Sequence, residues 1–176
     1  MSFRVSVATF ALVLAPQLLA AQQAAPVAQA FRENVQQEAK NLIASAELMP
    51  ADKYAFKPTP AQMSFGDIVV HLAGGNDYLC GGIGGMKPPT RTKIAATDSK
   101  DALVARLKET FQFCDQALAS LDDSKLAEPV DFFGRKMTRA AVMTLTTGDF
   151  ADHYSQAAIY LRLNGLLPPT AKKPAP

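Results

Sequence analysis

The sequence predicts an all-α fold, an up-and-down four-helix bundle, and three kinds of observation predict it. Apolar residues recur at helical spacing, most clearly in the seam Leu103, Leu107, Phe111, Cys114, Leu118 and Leu121, at steps of four and three. Side chains suited to helix N-caps precede the periodic segments: Ser64, Ser99 or Thr97, and Thr138. Prolines and glycines stand where the segments should stop: Pro50, the run CGGIGG, and Gly165 followed by Pro168 and Pro169.

Ahead of the bundle the chain reads differently. Arg4 supplies a positive n-region, VSVATFALVLAPQLLA follows as an apolar run, and AAQQAAPVAQA offers small residues for cleavage after Ala20, Ala21 or Ala30. This is the pattern of a secretory signal peptide, expected over 1–21, with 22–30 as a flexible lead-in. The apolar run is short for a bilayer span and Pro16 interrupts it, so no stable span is expected in the mature protein. A periplasmic or secreted location follows.

The first helix is expected in VAQAFRENVQQEAKNLIASAELM, where Phe31, Val35, Leu42, Ala46 and Met49 share one face. ADKYAFKPTPAQM then reads as an extended connection laid against the body. The second helix starts at the Ser64 cap, with Asp67 completing a capping box. Ile68, Leu72 and Leu79 form its apolar face and His71 sits beside it. Gly74 and Gly75 weaken this helix, and a closely packed neighbour would account for them. MKPPTRTKIAATDS is the long crossover loop. The third helix carries the seam given above. EPVDFFGRKMT breaks the helical pattern and suggests a short extended excursion or small hairpin before the last helix, which runs to about Asn164. The bundle is thus expected over 31–169, with 170–176 as a flexible tail.

Composition narrows function by exclusion. The 176 residues carry 18 Lys and Arg against 16 Asp and Glu, with no basic run or stripe, so a nucleic-acid partner is not expected. No motif indicates a nucleotide cofactor. Cys80 and Cys114 are an even pair in an exported chain, and a disulfide between them is expected over two separate buried thiols. It would close a loop of about 34 residues and contribute on the order of 3–4 kcal/mol in the chain-entropy model. Antiparallel second and third helices would bring the two sulfurs together.

The chain has only two histidines. On the last helix Asp149, His153, Gln156 and Tyr160 are spaced by four, three and four, which places them on one stripe. Such a stripe can be a solvated face. It can also converge with His71 on a divalent-metal site, because bundles build such sites from side chains on facing helices. Two imidazoles and one carboxylate with open positions suit zinc, nickel or iron.

The segments MPADKYAFKPTPAQMSFGDIVVHLAGGN and DHYSQAAIYLRLNGLLPP, in that order, resemble the DinB-like (YfiT-like) superfamily of metal-binding four-helix bundles. The resemblance runs from about Phe31 to Pro169. It implies a triad of one histidine on the second helix and a His-x-x-x-His pair on the fourth. His71 and His153 match two of these positions, and Asp149 stands where the family usually has the third histidine. The carboxylate either serves as ligand or marks an altered or lost site. Some relatives resemble thiol-dependent isomerases and S-transferases, in which a metal acidifies a thiol cosubstrate. Export argues against a cytosolic thiol, and hydrolysis is the other metal chemistry to expect. No general base identifies itself: Tyr160 and Asp77 are only nearby candidates, and with Gln156 they are expected to line the pocket around the ligands. The expectations are therefore a metal-dependent transferase or hydrolase acting on an unidentified small molecule, a non-catalytic metal- or ligand-binding bundle, or an interaction domain. Relatives often pair through bundle faces, so a homodimer is among them.

Overall fold

The computed structural model describes residues 25–171. The signal-peptide expectation and most of the expected tail lie outside them. Four helices carry the fold: α1 (Pro26–Leu48), α2 (Phe65–Gly84), α3 (Lys100–Leu118) and α4 (Arg139–Leu163). A hairpin of β1 (Pro129–Phe132) and β2 (Arg135–Thr138) precedes α4. The helices pack around one core that includes Phe31, Phe65, Leu107, Phe111, Phe150 and Leu161. No described helix is long and apolar enough to cross a membrane.

The caps set the helix starts. Ser64 Oγ accepts from the Asp67 amide while Asp67 accepts from the Ser64 amide, so two orphan donors of α2 are satisfied reciprocally. Ser99, rather than Thr97, caps α3, and Thr138 caps α4. α1 has no cap of its own. Its first amides, Val27 and Ala28, donate instead to the Asp123 carboxylate at 3.1 and 2.8 Å. Residues 26–30 form the first turn of α1, as expected from Val27 onward, although they also fall in the segment expected as a lead-in.

Helix directions follow from paired contacts. Cys80 bonds Cys114, Asn76 Nδ2 donates to Thr110 Oγ1 at 3.1 Å, and a Cβ at Gly84 would run into the Ala117 carbonyl. Numbers rise together along both helices, so α2 and α3 are parallel neighbours. This corrects the antiparallel arrangement expected for the disulfide. The physical reason is the crossover of residues 85–99, which returns along the pair before α3 begins. Arg91 in the crossover ties to the Asp77 carboxylate at 2.5 and 3.1 Å and to Glu109 at 3.2 Å. Gln36 meets Asp115 and Lys108 meets Glu47, so α1 runs against α3. His71 faces His153 and Tyr160 hydrogen-bonds Met63, so α4 runs against α2.

The connection from α1 to α2 lies against the body as expected. Tyr54 is buried, donates to the Ala46 carbonyl at 2.7 Å and meets Phe65 edge-on. The hairpin register leaves Phe133 and Gly134 as a two-residue loop, both at positive φ, 50° and 79°. Two-residue hairpin loops favour Asn or Gly there. A left-handed conformation costs a residue with a Cβ about 1–2 kcal/mol, so Phe133 is an unfavourable choice for its turn.

Candidate metal centre

α2 and α4 bring three of the expected residues together. The rings of His71 and His153 lie 4.8 Å apart between centroids, tilted by 59°. Asp149 sits one turn before His153, with Oδ1 3.5 Å from the His153 Nε2. One ligating atom from each of the three lies within 4.8 Å of the others. His71 is exposed, Asp149 half-buried and His153 buried. The two histidines come from helices on opposite sides of a cleft, and the capping box fixes the start of α2 about two turns before His71. Both α4 residues lie mid-helix, away from frayed ends.

Asp149 beside His153 favours the imidazolium and raises its pKa above the ordinary histidine value. Burial opposes this, and the charges of Asp149 and Asp152 and a contact with Gln156 add to it. His153 Nδ1 is buried without a hydrogen-bond partner. An orphaned buried nitrogen is costly, and it marks a site whose polar atoms are not all satisfied by protein.

The donor set fits a divalent cation. Two imidazoles and one carboxylate suit zinc, nickel or iron, and three protein ligands leave positions open, as catalytic rather than structural zinc sites do. Bonds of about 2.1 Å imply ligand–ligand edges of roughly 3.4 Å in a tetrahedral set. The widest separation here would have to close by a little over an ångström, which rotamer adjustment of the exposed His71 can supply.

Asp77 and Tyr160 are engaged elsewhere, whereas Gln156 stays beside His153. Asp77 is held by Arg91 and secures the crossover. Tyr160 is buried, donates to the Met63 carbonyl at 2.8 Å and stacks edge-on against Phe56, so it anchors the α1–α2 connection. Its pKa is raised by burial. Gln156 donates to Asp152 at 2.8 Å.

His71 and Asp149 line a cleft of about 870 Å³ between α2 and α4, to which the hairpin contributes Phe132 and Phe133, while His153 is buried. That volume is in the range of small-molecule sites. Asp152 lines it, and the sequence reading missed this carboxylate. So do Gly74, Gly75 and Gly148, and a Cβ built at any of them meets nothing within 4 Å. The close-packed neighbour expected at Gly74 and Gly75 is absent. The physical reason is that this side of α2 faces open cleft, whereas its packed side faces α3. A glycine inside a helix costs about 0.5–1 kcal/mol relative to alanine, and no contact here offsets it. The signal for these residues was present as helical spacing: 71, 74, 75, 78 on α2 and 145, 148, 149, 152 on α4.

The sequence pattern of the DinB superfamily matches residues 21–157. A DinB-like protein from Bacillus subtilis has a similar solved structure, with 22% identity and a TM-score of 0.64 over 77% of this chain and 91% of its own. A DinB-like protein from Bacillus cereus is similar at 19% identity and 0.68, covering 80% and 95%. A conserved protein from Enterococcus faecalis is similar at 18% identity and 0.63, covering 78% and 96%. At these identities the likeness shows the fold alone. No curated protein matches the sequence.

Proposed function

The chain belongs to the DinB superfamily, and from that premise we propose that it is an exported bundle that holds a divalent cation on His71, Asp149 and His153. It uses that cation in hydrolysis or group transfer on a small molecule bound in the α2–α4 cleft. The observation that carries this reading is the convergence of the chain's only two histidines and Asp149 from two helices, with His71 and Asp149 in the wall of a ligand-sized cleft and His153 buried beside them. In this reading Asp149 replaces the third histidine of the usual triad as a ligand.

When bound, such a cation supplies Lewis acidity, polarising an electrophile or acidifying a coordinated water or thiol. The remaining roles fall to this chain's own groups. His71, Asp149 and His153 orient the reacting end of the substrate. Asp152, on the same wall and held by Gln156, is placed to accept a proton from the nucleophile. Apolar walls from Val70, Leu79 and Phe132 exclude bulk water. The Cys80–Cys114 disulfide supports the exported setting. Cleavage after Ala20 or Ala21 leaves α1 whole, whereas cleavage after Ala30 would remove the turn that Asp123 caps.

Elemental analysis of untagged protein from the exported fraction tests the cation. We expect close to one equivalent of zinc, nickel or iron per chain, lost in the His71→Ala/His153→Ala double variant. Unchanged metal content in that variant, or failure of the wild type to retain any of the three metals after loading, would sink the assignment. Turnover of activated esters and of electrophilic thiol acceptors then separates an enzyme from a binding protein.

A further inference from the structure

Four local choices in this chain work against local stability, and all four line one cleft. Gly74, Gly75 and Gly148 sit within α2 and α4 at ordinary helical backbone, where alanine would be better and nothing packs against them. Phe133 occupies a left-handed turn position that favours Asn or Gly, and the residue is 71% exposed. Tyr78 and Leu145, also exposed apolar side chains, line the same cleft. Sequences depart from local rules mainly where function requires it.

The contacts show what the departures preserve. Phe133 lies against Tyr78 with ring centroids 4.6 Å apart and planes tilted by 32°, and meets Phe132 edge-on at 4.8 Å. Its amide donates to the Tyr78 hydroxyl at 2.6 Å, which fixes the aromatic group at the cleft's end. The glycines on the facing helices leave a smooth floor with the space of their missing side chains. The inner end differs in charge: His71, Asp149 and Asp152 line it, and no lysine or arginine lines the cleft.

We propose that the α2–α4 cleft is a slot for the flat aromatic body of a small ligand, kept open by Gly74, Gly75 and Gly148 and gripped at its outer end by Phe133 and Tyr78. A carboxylate or similar donor on that ligand points to the cluster. That last feature rests on the cation reading above, because without a cation the two carboxylates repel an anion there. The aromatic body does not depend on it.

Titration of fluorescent 2-naphthamide and 2-naphthoate into metal-free and zinc-loaded full-length mature protein tests both features. The neutral amide should bind with or without zinc, and the anionic naphthoate should bind at least tenfold better with zinc. Gly75→Leu and Gly148→Leu should each weaken amide binding at least tenfold while the melting temperature holds or rises. Phe133→Gly, which relieves the turn and leaves both helices untouched, should raise the melting temperature by about 2–4 °C and weaken amide binding severalfold. No amide binding by the wild type, or unchanged binding in all three variants, overturns the slot. Amide binding that obeys these variants in a protein that retains no metal upholds the slot and removes the cation. Metal retention with no amide binding does the reverse.

Discussion

The two sides of α2 use glycine for opposite reasons. Toward α3, Gly84 stands where any Cβ would collide with the backbone of Ala117, one turn beyond the Cys80–Cys114 disulfide. Gly81 is closed off as well, but by the start of the crossover, with the Met86 carbonyl 2.7 Å from a Cβ built there. Toward α4, Gly74 and Gly75 meet nothing. Glycine on the first side permits two parallel helices to approach. On the second it withholds side chains from a cleft, and the helix is weaker for it. A glycine in a helix therefore has no single meaning, and the atoms opposite it decide which one applies.

Substitutions can break or sharpen this contrast. The largest effect should come from the packed side. Replacing both cysteines with alanine removes the cross-link of 34 residues' separation and should lower stability by about 3–4 kcal/mol, read as a denaturation midpoint. Gly84→Ala should follow, at about 1–3 kcal/mol of destabilisation from overpacking against the Ala117 backbone. The same substitution on the cleft side should change sign. Gly75→Ala should stabilise by about 0.5–1 kcal/mol, because its new methyl meets open space. Equal and same-signed effects at Gly84 and Gly75 would erase the contrast.

The smallest effect concerns the start of α2, which both sides share. Hydrogen bonds from the Ser64 hydroxyl and amide hold the Asp67 pKa below the ordinary carboxylate value, against a small opposing effect of burial. A depressed folded pKa means that the capping box contributes fully above the unfolded value. That contribution is lost as pH falls through the folded one. Asp67→Asn should therefore lower the melting temperature by on the order of a degree or two near neutrality. The difference from wild type should fade in acid. A difference that grows as pH falls would contradict the capping account.

Much of the candidate site was legible as spacing. Asp149 and His153 are four apart, and a helix puts them on one stripe whatever surrounds it. No local rule links His71 to His153, 82 positions on; the general habit of bundles to build sites between facing helices proposed the meeting, and the family resemblance gave it a pattern. Tyr160 shares the stripe but not the site, because the next turns of α4 pass beneath the α1–α2 connection and meet Met63 and Phe56. Asp77 lies near His71 in sequence but turns to the crossover and Arg91. Asp152 was overlooked because it lies just off the stripe, on the cleft side of α4.

The sequence by itself determined the local structure: four helices with their caps and stops, the hairpin before α4, and the pairing of its two cysteines. The helices and the hairpin follow from short-range rules, in which side chains within a turn or two satisfy backbone groups and gather apolar faces, and the pairing follows from there being only two cysteines in a chain expected to be exported. Tertiary structure alone decided that α2 and α3 run parallel, that Gly74 and Gly75 face a cleft and not a neighbour, and that Asp77 and Tyr160 serve the scaffold. Each of these depends on which atoms of distant segments stand opposite. Periodicity gives the direction in which a side chain leaves its helix, but not what it meets.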